Sequence, residues 1–127
     1  KELADNQIRV VVSVEPESLS ISADKSMIEQ VLINLIKNAI QAFDKEENKA
    51  IHLIGSREDK TSLIVVRDNG SGIDAEALEK IFIPFFSTKQ HGSGIGLSLS
   101  RQIIRKHEGR ISVKSKLGEG TEFSLRF

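Results

Sequence analysis

The order of apolar and polar positions predicts strands and helices in alternation. Residues 8–14 are mostly β-branched, Glu15-Pro16-Glu17-Ser18 reads as a turn, and residues 19–22 alternate with period two. Together they predict two short strands, paired as a hairpin at a sheet edge. Asp24 then offers a side-chain oxygen to the free amides of a first helical turn, and a helical pattern runs to about Phe43. Met27, Ile28, Val31, Leu32, Leu35, Ile36, Ala39, Ile40 and Phe43 fill one broad face of that helix. Gln30, Asn34, Lys37, Asn38 and Gln41 lie opposite, within about 80° of one another at 100° per residue. Such a ridge is either a solvated face or a ligand-facing one. A solvated face is the default for any single amide there, and two asparagines in mid-helix, where they compete for the backbone, weaken it.

Beyond a charged loop at residues 45–49, residues 50–57 and 62–68 read as strands flanking a polar turn. Leu63 to Val66 is continuously apolar, which predicts a strand buried on both faces that delivers Asp68 into a loop. Asp74 caps a short helix running to about Ile81, the stretch Phe82-Ile-Pro84-Phe85-Phe86 breaks it, and residues 87–93 are polar and predicted to be mobile. A second amphipathic helix follows over residues 95–107, carried by Leu97, Leu99, Ile103 and Ile104, with Gly109 as its stop. Residues 110–116 and 122–127 are two alternating strands joined by Gly118-Glu-Gly120-Thr121. With 127 residues and no internal repeat or linker, one domain over residues 1–127 is expected.

Composition narrows the function classes. Eighteen basic and eighteen acidic residues cancel, so no overall basic field recruits nucleic acid, and the chain has no Trp or Tyr to stack on bases. No apolar run approaches the roughly 18 residues of a membrane span, so no membrane contact by this domain is expected. The absence of cysteine excludes disulfides and thiolate metal sites and is compatible with a cytoplasmic location. A start at Lys1 without a leader suggests a piece excised from a longer chain, whose parent can still be membrane-anchored. His52, His91 and His107 share no ligand or catalytic spacing.

Candidate chemistry lies in three clusters, Asp68-Asn-Gly70-Ser-Gly72, Gly92-Ser-Gly94-Ile-Gly96 and Gly118-Glu-Gly120-Thr121, which hold seven of the nine glycines. The first is either a surface turn or a site where Asp68 accepts from the exocyclic amine of adenine while the glycines let the ring approach the backbone. The second lacks the spacing of a dinucleotide fingerprint and the Gly-Lys-Ser/Thr ending of a P-loop. It still opens into a helix whose free amides and dipole suit phosphate oxygens, with Lys89 and Arg101 as candidate cations. Phe82, Phe85 and Phe86 read as core plugs anchoring the polar loop.

Taken in order, these segments resemble the catalytic ATP-binding domain of sensor histidine kinases, within the superfamily shared by gyrase-type, heat-shock chaperone and mismatch-repair ATPases. Gln30-Val-Leu-Ile-Asn34-Leu-Ile-Lys-Asn38-Ala resembles the N box, and Asp68-Asn-Gly70-Ser-Gly72-Ile the first G box. Phe82-Ile-Pro84-Phe85 is similar to the F box, Gly92-Ser-Gly94-Ile-Gly96-Leu to the second G box and Gly118-Glu-Gly120-Thr121-Glu-Phe123 to the terminal one. The resemblance covers nearly the whole chain. It implies an α/β sandwich (α+β) with a mixed, mostly antiparallel sheet of about five strands and about three helices on one face.

The implied ligands are ATP and Mg²⁺. By position, the resemblance makes Asn38 the Mg²⁺ ligand, Asp68 the reader of adenine N6 and Thr121 a support for the adenine edge. Gly92, Gly94 and Gly96 admit the phosphates, and Gly70, Gly72, Ile73, Phe82, Ile95 and Leu97 complete the nucleotide-contacting set. Asn34, Asn38 and Lys89 are the expected catalytic positions. Hydrolytic members commonly carry a glutamate where this chain has Asn34, and an amide cannot accept a proton from water near neutral pH. That points to a kinase passing the γ-phosphoryl to a histidine, over an ATP hydrolase or a non-catalytic nucleotide-binding module. The kinase lysine and aromatic that commonly follow the second asparagine are Gln41 and Ala42 here, so Lys89, with Lys37 second, is expected to meet the phosphates, as in the nitrogen-sensor-type subgroup. No phosphoacceptor histidine box is present. The expected partner is a histidine-containing dimerisation domain of the same parent chain and, through it, a response regulator.

Overall fold

The computed structural model describes residues 8–15, 24–43, 48–84, 86 and 96–127. In chain order the elements are β1 (Arg9–Glu15), α1 (Lys25–Gln41), β2 (Ala50–Glu58), β3 (Thr61–Asp68), α2 (Ala75–Leu78), α3 (Gly96–Lys106), β4 (Arg110–Lys116) and β5 (Gly120–Arg126). The five strands form one sheet in the order β1-β2-β3-β5-β4, with β1 parallel to β2 and all other neighbours antiparallel. This is the mixed, mostly antiparallel sheet with three helices that the motifs imply.

Local chemistry starts each element where the sequence places it. Asp24 has extended backbone and its Oδ1 accepts from the amide of Met27 at 3.1 Å, so α1 begins at a true N-cap. The β2–β3 hairpin turns in two residues, with Asp59 in the left-handed region at φ 54°, a conformation aspartate tolerates better than most. Ile51, Leu53, Val66, Ile64, Phe123 and Leu125 alternate onto one sheet face. Against them pack Val31, Leu35 and Ala39 of α1 and Ile103 and Ile104 of α3. Leu35, Ile104 and Leu125 are completely inaccessible, and each such side chain contributes about 1.5–3 kcal/mol when withdrawn from water.

Several expectations change. The neighbour of β1 among the described residues is β2, reached by a parallel crossover through α1; the expected hairpin partner at residues 19–22 lies outside the described residues. Leu63 to Val66 is not uniformly buried. Val65 and Val66 are, on opposite faces, whereas Leu63 and Ile64 are half-buried. The helical layer lies on the Val66 face, and Leu63 sits on the other face beside Arg126 and Ser56. Helix α2 stops at Leu78 instead of Ile81. The chain continues in tighter turns, with Lys80, Ile83 and Phe86 amides each donating three residues back, as it approaches Pro84.

The end of α3 also differs from the expected glycine stop. Glu108 takes the left-handed conformation at φ 59°, its amide bonds Arg105 O, and the amide of Gly109 reaches back to Ile104 O at 2.9 Å. This is the Schellman pattern with glutamate at the turning position. Gly109 is needed for another reason, since a Cβ there would lie 2.4 Å from Arg126 O. Finally, β5 begins at Gly120, two residues earlier than expected, which draws Thr121 into the sheet.

Candidate functional site

Asp68 ends β3, and Thr121 stands directly opposite it on β5. Both are buried, at 6% and 5% exposure, which is unusual for polar side chains and demands hydrogen-bond partners. Asp68 Oδ1 accepts from the amide of Gly70 at 2.9 Å, fixing the carboxylate against the loop that follows. Thr121 Oγ1 lies 2.8 Å from Ser115 Oγ on β4, the next residue in the same cross-strand row. Ser115 Oγ also donates to Gly120 O at 2.9 Å and accepts from the amide of Ile73 at 2.7 Å. One hydroxyl thus ties the first glycine cluster to the third.

At two of the glycines neighbouring backbone stands where a side chain would be. Gly72 has φ 79°, and a Cβ there would fall 2.2 Å from Lys116 O; Gly120 has φ 123°, and its Cβ would fall 2.1 Å from Asp68 O. The space left by the missing side chains is filled by neighbouring backbone. Ser71 completes the junction, accepting at its carbonyl from Gly118 N and donating both its amide and its hydroxyl to Ala42 O at 3.0 and 2.9 Å. The C-terminal end of α1 is therefore clamped to the Asp68 loop.

Eight residues earlier on α1, Asn34 makes a second junction. Its Nδ2 lies 3.4 Å from both Gly96 O and Ser100 Oγ, and Ser100 Oγ donates to Gly96 O at 2.8 Å. Ser100 is completely buried. Asn34 thus faces the first turn of α3, where free amides and the positive end of the dipole gather. Asn38, half-buried, lies one turn along from Asn34 toward the Asp68 loop, while Lys37 is exposed. The two junctions are separated by eight residues of helix, about 12 Å. That span is comparable to the distance from the base to the phosphates of a nucleoside triphosphate.

Phe82 is half-buried against the core, and the Arg101 guanidinium carbon stands 5.1 Å from its ring centroid. This contact joins the segment after α2 to α3 and draws Arg101 toward the ring. Ile73 and Leu97 are half-buried against the same core. Lys89, Gly92, Gly94 and Ile95 lie outside the described residues.

Sequence reasoning missed Ser115 and Ser100. Each occupies an inward position in an otherwise apolar series: Ser115 follows Ile111 and Val113 on β4, and Ser100 sits among Leu97, Ile103 and Ile104 on α3. A hydroxyl at a core register was the available signal. Among the described residues no group of three or more His, Asp or Glu side chains can hold a metal ion. No helix among them is long and apolar enough to cross a membrane.

The chain matches, over residues 23–127, the family described as histidine kinase-, DNA gyrase B- and HSP90-like ATPase. It is 40% identical over 119 residues to the signal transduction histidine-protein kinase AtoS of Escherichia coli (strain K12), covering 94% of this chain and 19% of that protein. It thus spans about a fifth of the length of that curated relative. The catalytic domain of histidine kinase ThkA superposes with a TM-score of 0.86 at 34% identity, covering 99% of this chain and 82% of that one. Full-length ShkA, solved in complex with AMPPNP, superposes with a TM-score of 0.86 at 27% identity, over 98% of this chain and 26% of ShkA. ThkA in complex with the response regulator TrrA gives a TM-score of 0.81 at 32% identity, over 99% and 35%.

Proposed function

Because the chain belongs to the family of histidine kinase-, DNA gyrase B- and HSP90-like ATPases, we propose that it is the catalytic ATP-binding domain of a two-component sensor histidine kinase. It binds ATP and transfers the γ-phosphoryl to a histidine on a separate dimerisation domain of the same parent chain, from which a response regulator is then served. The observation that carries this reading is the pair of junctions on α1. The Asp68–Thr121 edge at one end suits an adenine, and the α3 N-terminus beside Asn34 at the other suits phosphates.

Asn34 separates the kinase reading from the hydrolase. An amide has no proton-accepting capacity near neutral pH, and this one faces Gly96 O and Ser100 Oγ with its amine. It positions α3 and activates no water. The donor set also fits Mg²⁺. Asn38 carries a neutral amide oxygen, a hard donor of the kind that suits an ion keeping most of its waters and binding mainly through substrate phosphates. When bound, Mg²⁺ neutralises charge on the phosphates during transfer. Asn38 would hold it, and Lys89, with Lys37 second, would add positive charge. Catalysis is then largely alignment of the acceptor imidazole with the γ-phosphorus, where a P–N bond forms as the bond to the leaving ADP oxygen breaks. The chain acts as a single domain in the cytoplasm, within the longer parent.

Calorimetric titration of this chain with ATP, GTP and ADP, with and without Mg²⁺, tests the reading. ATP binding that strengthens with Mg²⁺ and exceeds GTP binding is expected. No ATP binding would sink it, and multiple-turnover hydrolysis by the isolated chain would replace the kinase with a hydrolase.

A further inference from the structure

The hydroxyl of Ser115 has three neighbours and one proton. Gly120 O, at 2.9 Å, can only accept; the Ile73 amide, at 2.7 Å, can only donate; Thr121 Oγ1, at 2.8 Å, can do either. A serine hydroxyl donates once and accepts twice. Without a proton between them, Ser115 Oγ and Gly120 O would face each other lone pair to lone pair, so the Ser115 proton goes to Gly120 O. One lone pair takes the Ile73 N–H. The remaining lone pair faces Thr121, which must therefore spend its own proton on Ser115. Thr121 Oγ1 is left as an acceptor toward the space beside Asp68.

We infer that Ser115 is a specificity-determining positioning residue, which by fixing the Thr121 hydroxyl as an acceptor makes the Asp68–Thr121 edge select a 6-amino purine over a 6-keto purine. This rests on the nucleotide reading above. Asp68 and Thr121 are opposite residues on neighbouring antiparallel strands, so their side chains rise side by side from one sheet face. Two acceptors straddling one primary amine at ordinary N–H···O distances lie about 5 Å apart. A 6-keto oxygen placed there meets the Thr121 lone pair on one side and the Asp68 carboxylate on the other. Discrimination of this kind, in which polar groups are left unpaired by the wrong ligand, exceeds what one methylene more or less achieves in an apolar pocket. Ser115 itself touches no ligand and acts through Thr121.

The test measures Kd for ATP and for ITP, which differ only at the six-position edge, on the wild-type chain, Ser115→Ala, Thr121→Val and the double variant. The readout is the ratio of the two constants within each protein. A partly unfolded fraction weakens both ligands alike and cancels. Ser115→Ala frees the Thr121 proton to serve a keto oxygen, so the preference for ATP is expected to fall about two- to tenfold, the worth of one hydrogen bond. Thr121→Val removes the acceptor and is expected to lower the ratio as well, and it carries the test should Ser115→Ala not fold. Adding Ser115→Ala to Thr121→Val is expected to change the ratio no further. An unchanged ratio in either single variant overturns the inference, as does an equal further drop in the double variant. A wild-type chain that binds neither nucleotide overturns the nucleotide reading and this inference with it, whereas an unchanged ratio overturns this inference alone.

Discussion

Gly118 and Gly120 sit two residues apart in the same turn, both at positive φ, 80° and 123°, yet their surroundings are opposite. A Cβ at Gly118 meets nothing within 4 Å, whereas one at Gly120 falls 2.1 Å from Asp68 O and 3.0 Å from Asn69 Cα. Alanine at 118 therefore suffers only backbone strain, about 1–2 kcal/mol. At 120 the strain is about 1–3 kcal/mol, and β5 must also move about 1.3 Å from β3 to restore a 3.4 Å contact (3.4 − 2.1). Displacing a packed backbone adds roughly 1–3 kcal/mol, for a total of about 2–6. With a urea dependence near 1.5–2 kcal/mol per molar, the Gly120→Ala midpoint should fall roughly 1–2 M further than that of Gly118→Ala. Nucleotide titration should follow the same order, because the movement separates Asp68 from Thr121. Equal midpoints for the two variants would refute the claim that Gly120 is required by the close approach of two strands.

Three further substitutions probe the site. Asp68→Asn retains an oxygen for the Gly70 amide but loses the charge-assisted bond to the base, so ATP affinity should fall by roughly 1.5–3 kcal/mol with little change in melting temperature; unchanged calorimetric affinity removes Asp68 from the base site. Asn38→Ala should abolish the Mg²⁺ dependence of ATP binding, and an undiminished Mg²⁺ effect in the same titration refutes the metal role. Asn34→Asp puts a carboxylate against Gly96 O, which can only accept, so thermal unfolding should show a loss of about 1–3 kcal/mol with no gain of ATP hydrolysis; a hydrolytic rate above wild type would revive the hydrolase.

What the residues disclosed in advance was mostly local. The helix over Lys25–Gln41, with its Asp24 cap, follows from periodicity and one side-chain oxygen, and the β2–β3 and β4–β5 hairpins from turn residues between alternating segments. The parallel pairing of β1 with β2 was not visible, because it joins segments separated by α1 and leaves no local trace. The glycines announced that space was needed, yet a missing side chain reads alike whether a purine or a carbonyl fills the gap. At Gly72 and Gly120 it is a carbonyl. Glu108 adopted the left-handed turn expected of Gly109, because the tight contact with Arg126 O had already claimed the glycine. Ser100 and Ser115 gained meaning only when the folded chain brought Asn34 and Ile73 to them.

The strand order carries a consequence for biosynthesis. Within the described sheet β4 has one neighbour, β5, which is made after it and lies between β4 and β3. A nascent chain emerging at about 5–20 residues per second therefore holds β1, β2 and β3 while β4 waits unpaired. Thr121 is on that late strand, so Asp68 waits for its partner across the gap. A ribosome-bound chain lacking β5 holds Asp68 without Thr121, and the edge proposed to read the base is completed only when the sheet closes.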